Sequence, residues 1–240
     1  MRNFIIIGAQ RSGTTSLYEY ICAHPKVERA KHKEIHFFDW QYERGFTWYK
    51  CQFPRTHGLA ITGEASPSYL FDPAVPERVK RHKPHVRLIA ILRNPVDRAY
   101  SQYCHNKRRE TEPLTFKRAL EAEEERLQAT ETSKPSYKQF MEWSYKARGR
   151  YAEQLLRWLA LFPPEQLLVL RAEDLFTLPA ETMAVVWEYL ELEPVYQEEY
   201  EAHRAQSYRV YASTREYLAD YFRIHNQTLG EMLGRDFGWG

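Results

Sequence analysis

The sequence predicts an α/β fold, a single P-loop-like domain with a central, mainly parallel β-sheet flanked by helices. Three observations carry that expectation. Short apolar runs alternate with helical patterns along the chain, as in a parallel sheet covered on both faces. The first run stops at a glycine-containing loop, GAQRSGTT, which opens a helix. And 240 residues at 43% hydrophobic and 28% charged content suffice for a buried core and exclude a disordered chain.

Taken in order, residues 3–7 form a β-branched run that halts at Gly8, read as a buried strand. From Thr14 to about Ala23, Leu17, Tyr18 and Ile21 recur at helical spacing, and His24-Pro25 ends the helix. Further strands are expected at 59–62, leading into Gly63-Glu64, at 86–92, leading into Arg93-Asn94-Pro95, and at 166–170, leading into Arg171. Helices are expected at 95–106, with proline in the first helical position, and at 115–128, with a densely acidic face. A helix over 151–162 offers Leu155, Leu156, Trp158, Leu159 and Phe162 to the core, and helices over 180–190 and 214–233 complete the set. No repeat or linker interrupts the chain, so one domain spanning 1–240 is expected. Its stretch 105–150 is highly charged, with Lys107-Arg108-Arg109 ahead of an acidic run at 121–125. That stretch reads either as a solvated helical excursion or as a flap that recognises an acceptor.

A net charge of +2 makes no case for nucleic acid, so any basic site must be a local cluster. Cys22, Cys51 and Cys104 are scattered without C-x-x-C spacing, which argues against a disulfide framework or a thiolate zinc site. The N-terminal apolar run is too short for a signal peptide, and no stretch is long enough to span a bilayer. A cytoplasmic protein without stable membrane insertion is expected; its oligomeric state is not legible.

Gly8, Gly13 and Thr15 fall on the phosphate-loop pattern G-x-x-x-x-G-K-[ST], but Thr14 stands where the lysine belongs. In open parallel sheets ligands bind beyond the carboxyl ends of the strands, which singles out the Gly8 loop, Glu64 and Arg93. A kinase or ATPase needs the loop lysine and a magnesium ion held by an acidic strand end. Here the strongest strand, VRLIAIL, ends in Arg93. The pattern suits metal-free anion binding by backbone N–H groups, a helix N-terminus, the hydroxyls of Ser12, Thr14 and Thr15, and the guanidinium of Arg11.

GAQRSGTTSLYEYICAHP resembles the 5′-phosphosulfate loop of the PAPS-dependent sulfotransferases, and LRNPVDRAYSQY resembles their 3′-phosphate motif. The run KEIHFFDWQYERGFTWYKCQFP, with GEASPSYLF and RYAEQLLRWLALFP, is similar to the heparan-sulfate-type (N-/3-O-sulfotransferase-like) branch, in a form that looks bacterial. The resemblance implies PAPS (3′-phosphoadenosine 5′-phosphosulfate) as co-substrate, with no metal. It places Arg11, Ser12, Gly13, Thr14, Thr15 and Ser16 on the phosphosulfate, and Arg93 and Ser101 on the 3′-phosphate. A late Gly-Arg loop of the family corresponds to SYRVYAS, where Tyr208 replaces the glycine and Arg209 is the matching cation. It also places the catalytic glutamate on Glu64. His36 is the alternative base, Lys33 a residue that neutralises charge or holds the acceptor, and Arg11 the main stabiliser of the leaving group. Arg98 and Asp97 read as a structural pair.

Two departures weigh against a heparan-like polysaccharide. Ala65 stands where luminal saccharide-modifying relatives carry lysine, and no cysteine pair precedes the late loop. The acceptor classes left open are a small molecule, a glycan, a lipid and a carrier-bound acyl chain. Trp40, Trp48, Tyr69, Trp143 and Tyr145 are aromatic candidates for stacking on it. The competing functions are a P-loop kinase or NTPase, which Thr14 and Arg93 oppose, and a non-catalytic nucleotide-binding module, which Glu64 opposes.

Overall fold

The strands β1 (Asn3–Gly8), β2 (Val27–Arg29), β3 (Ile61–Ala65), β4 (Arg87–Leu92) and β5 (Leu167–Arg171) form one sheet in the order β2-β3-β1-β4-β5. Every neighbouring pair is parallel. The structure, a computed structural model, describes residues 3–54, 60–132, 137–195 and 210–239. The described residues fall into two compact units, one drawn from Met1–Arg93 and Gln154–Arg204, the other from Asn94–Glu153 and Ala205–Gly240.

The first unit holds the sheet. Around it run α1 (Thr14–Cys22), α2 (Gly45–Lys50) and α3 (Val75–His82). Phe4 and Ile6 of β1, Ala65 of β3, and Ile89 and Ile91 of β4 pack with Leu17 and Ile21 of α1 on one face of the sheet. Side chains alternate along a strand, so Thr62 and Glu64 of β3 leave the opposite face from Ile61 and Ala65. Both are buried there.

The sequence pattern ends the third strand at residue 62, taking Gly63 as a breaker, whereas the strand continues through Glu64 and Ala65. Gly63 lies opposite Phe4, and a Cβ on it would sit 2.5 Å from the Phe4 ring. The glycine admits a neighbouring side chain; it does not turn the chain. β2 has only three residues and leaves no periodic signal.

The second unit is helical: α4 (Pro95–Arg108), α5 (Phe116–Glu121), α6 (Glu123–Thr132) and α7 (Tyr137–Trp143). After them α8 (Tyr151–Leu159) leads back toward β5. The first unit is then completed by α9 (Ala172–Thr177) and α10 (Pro179–Leu190), and the second by α11 (Ala212–Leu233). Met183, Val186, Trp187 and Leu190 of α10 join the α1 side of the sheet core. Val96, Ala99, Phe116, Leu120, Leu218 and Phe222 form the core of the second unit. The single helix expected over 115–128 is two, because buried Glu123 accepts the backbone N–H groups of Lys146 (2.7 Å) and Ala147 (2.8 Å) at the break. Leu156, expected in the core, is 54% exposed, while Leu155, Trp158 and Phe162 are buried. Arg98 bonds Gln102 (2.7 Å) and the carbonyl of Tyr145, and Asp97 meets Arg215.

Candidate active site

The loop between β1 and α1 is shaped by two left-handed residues, Arg11 (φ 69°) and Gly13 (φ 92°). Gly13 is obligatory, since a Cβ there would lie 2.8 Å from the ring of Phe176 as well as strain the backbone. The N-cap residue of α1, Gly13, offers no side-chain cap, and the first turn holds no acidic residue. A helix start in that condition presents N–H groups and a partial positive charge to an anion. Ser12 is fully buried and its hydroxyl has no hydrogen-bond partner among the described residues. Such an orphan costs about 1–3 kcal/mol unless a ligand answers it. Thr14 and Ser16 are buried beside it, and Thr15 is exposed. Arg93, at the end of β4, donates to the carbonyl of Arg11 at 3.2 Å, which ties a second guanidinium to the loop.

The turn after β3 lies against the end of β1. Ser66 N donates to the Ile6 carbonyl (3.1 Å) and Leu70 N to that of Ile7 (2.7 Å), and a Cβ on Gly8 would meet the Pro67 carbonyl at 3.0 Å. Segment 33–39 docks on this turn. Glu34 N donates to the Ala65 carbonyl (3.1 Å), His36 N to Ser66 Oγ (3.1 Å) and Phe38 N to the Tyr69 hydroxyl (3.2 Å). From α3, Arg78 donates to the carbonyls of Phe38 (2.7 Å) and Asp39 (3.0 Å). The segment is strained, because Glu34 (φ 61°) and His36 (φ 53°) are both left-handed. That costs about 1–3 kcal/mol each. Ile35, Phe37 and Phe38 are buried around them. Each such burial contributes roughly 1.5–3 kcal/mol, enough to hold the strained backbone.

Alternation of buried and charged residues turns Lys33, Glu34 and His36 outward together. Lys33 Nζ lies 2.6 Å from Glu34 Oε1, and His36 Nε2 lies 3.6 Å from Glu34 Oε2. On its other side His36 Nδ1 meets Asp39 Oδ2 at 2.9 Å, and Asp39 also accepts from Ser68 Oγ. Partial burial opposes charge on His36, but the hydrogen bonds to Asp39 and Glu34 outweigh it and raise its pKa to about 9. Glu34 is likewise opposed by partial burial, yet His36 and Lys33 bring it down to about 2. The Glu34 carboxylate keeps 44% of its side chain exposed.

Glu64 is different. It has no exposed surface, and its carboxylate accepts from Ser66 Oγ at 2.8 Å and the Tyr69 hydroxyl at 3.2 Å, with Tyr49 of α2 a further partner. Burial pushes it up to about 7, only partly offset by those hydrogen bonds.

The first unit therefore brings together Arg11, Ser12, Gly13, Thr14 and Arg93, and places Lys33, His36 and Glu64 around the adjoining turn. Ser101 is buried on α4 in the second unit. Tyr208 and Arg209 lie outside the described residues. Of the aromatic candidates, Tyr69 and Tyr145 are enclosed in the interior, while Trp40 is 57% exposed with its ring 3.9 Å from that of His36. Sequence reading passed over Glu34 in KEIHFF. Its signal was the polar–apolar alternation that puts residues 34 and 36 on one side.

The sequence profile described as a sulfotransferase domain matches residues 1–221. The chain is 32% identical over 261 residues to human heparan sulfate glucosamine 3-O-sulfotransferase 6, an alignment covering 98% of this chain and 73% of that one. It is 27% identical to the membrane-associated sulfotransferase kil1 of Dictyostelium discoideum, covering 99% of this chain and 66% of that one. The crystal structure of a sulfotransferase from Alicyclobacillus acidocaldarius superposes with a TM-score of 0.86 at 30% identity, covering 100% of this chain and 98% of that one.

Proposed function

The chain belongs to the sulfotransferase family, and on that footing we propose how its residues divide the work of PAPS-dependent sulfuryl transfer. The S–O bond to the 5′-phosphate of PAPS breaks as a bond forms from sulfur to an acceptor oxygen, and PAP leaves. Ser12 carries the reading. Its buried hydroxyl, without a partner among the described residues, sits in a loop whose lysine position is Thr14, the condition expected of a seat for an anion other than a triphosphate tail. Arg11, the N–H groups at the start of α1, and Thr14 stabilise the phosphosulfate, and charge builds there as the sulfuryl group departs. Arg93 takes the 3′-phosphate.

Glu34 accepts the acceptor's proton. A base must first be within reach; Glu34 is open, whereas the carboxylate of Glu64 is enclosed. A carboxylate held down to about 2 is ionised at every physiological pH. Its weak basicity suffices because the acceptor proton becomes strongly acidic only as the new S–O bond forms. His36, raised to about 9, is a cation at neutral pH. It orients Glu34, and with Lys33 it offsets charge on the leaving phosphate. The acceptor is a glycan hydroxyl, supported by the exposed indole of Trp40 beside His36 and by the saccharide named for the human relative. The scattered cysteines support a reducing compartment, and no helix among the described residues is long and apolar enough to cross a membrane.

Incubation with radiolabelled PAPS and a panel of an unsulfated glucosamine-containing oligosaccharide, a simple phenol and a hydroxyacyl carrier protein tests the reading. Label is expected on the oligosaccharide. Label on another acceptor overturns the glycan assignment, and label on none of them, with γ-phosphate transferred from ATP, overturns sulfuryl transfer itself.

A further inference from the structure

We propose that Glu64 is a positioning residue: from its seat on β3 it holds, through Ser66 and Tyr69, the strained backbone that carries Glu34 and His36. The inference rests on the reading that Glu34 takes the proton.

Two relays, linked to each other by a Ser66–Tyr69 hydrogen bond, run outward from the one carboxylate. Ser66 Oγ donates to Glu64 Oε2 at 2.8 Å and accepts from His36 N at 3.1 Å. The Tyr69 hydroxyl donates to Glu64 at 3.2 Å and accepts from Phe38 N at 3.2 Å. A hydroxyl has one proton, so it can serve a backbone N–H reliably only if its own proton is spoken for. Glu64 fixes that direction. Its lone pairs take the protons of Ser66, Tyr69 and Tyr49, and the two relay oxygens are left to face the N–H groups of residues 36 and 38. An apolar residue here would release both hydroxyls to rotate and leave the left-handed His36 without its anchor. Asp39 and Lys83 are charged groups in electrostatic contact with Glu64. The arrangement makes Glu64 indispensable to geometry and idle in proton transfer.

Glutamine separates those roles, because its carbonyl oxygen still accepts hydroxyl protons but cannot take a proton from a substrate. Three variants, Glu64→Gln, Glu64→Leu and Ser66→Ala, are to be compared for turnover of radiolabelled PAPS with the oligosaccharide acceptor, KM for PAPS, and amide hydrogen exchange at His36 and Phe38. Glu64→Gln is expected to keep at least a tenth of kcat, with KM for PAPS within twofold. Ser66→Ala, a small change that spares the fold even if Glu64→Leu does not, is expected to lower kcat about tenfold and speed exchange at the His36 amide about tenfold, with PAP affinity unchanged. A thousandfold loss of kcat in Glu64→Gln with both amides still protected overturns the proposal, since a proton acceptor behaves so. Unchanged exchange in Ser66→Ala overturns it too. The exchange readout needs no turnover, so it still decides the relay if the wild-type protein fails to use PAPS and the functional reading falls.

Discussion

Thr14 occupies the position of a phosphate-loop lysine, and the positive charge comes instead from Arg11 within the loop and Arg93 bonded to its backbone. This makes nucleotide choice a matter of individual side chains. Arg93→Met is expected to weaken PAP at least tenfold and to weaken adenosine 5′-phosphate much less, a difference that calorimetry reads directly; equal losses would take Arg93 off the 3′-phosphate. His36 sets a pH limit. Its pKa is raised from 6.5 to about 9, so its ion pairs contribute fully below about pH 6.5 and are lost as pH rises through about 9. The kcat profile should fall above about pH 9, and His36→Gln should remove that limb along with most of the activity. The loop residues were legible because a phosphate loop is written in consecutive residues. Glu34 was not, because the difference between an exposed carboxylate at 34 and an enclosed one at 64 arises only when the turn after β3 folds over the latter.

Segment 33–39 is held by packing more than by propensity. Phe37 is fully buried among Phe38, Tyr49 and neighbouring rings. Phe37→Ala should cost about 3–5 kcal/mol in denaturant unfolding, whereas Leu156→Ala on the exposed side of α8 should stay within about 0.5 kcal/mol. Equal effects would contradict the assignment of these faces. Strands β1 and β4 were readable as apolar runs because both their faces are buried, the condition that removes alternation. Three features were hidden for physical reasons. Gly63 mimics a breaker while making room for Phe4, Glu123 splits a helix by capping distant backbone groups, and β2 is too short to show a period. Each depends on a contact far away in sequence.

At the scale of the molecule, an all-parallel sheet with its loops gathered at the carboxyl ends of the strands places the phosphate loop, Arg93 and the Glu34–His36 turn on one edge of the first unit. The second unit has its own core and a buried network in which Glu112 joins Arg126 (2.7 Å) and Tyr145 (2.9 Å). The alternating strand–helix pattern carried the fold class, since sheet class depends on the order of elements and tolerates errors at their ends. A net charge of +2 offers little long-range pull, so recognition has to come from the local cations and the buried loop hydroxyl. On the proposed reading this loop grips a phosphosulfate nucleotide where other phosphate loops grip a triphosphate and its metal. Thermal unfolding of the intact chain with PAP, compared with ATP and Mg²⁺ at the same concentrations, tests it most directly. At a hundred times Kd, PAP should add about 2.7 kcal/mol of stability, and ATP–Mg²⁺ should add clearly less; stronger stabilisation by ATP–Mg²⁺ would contradict the account.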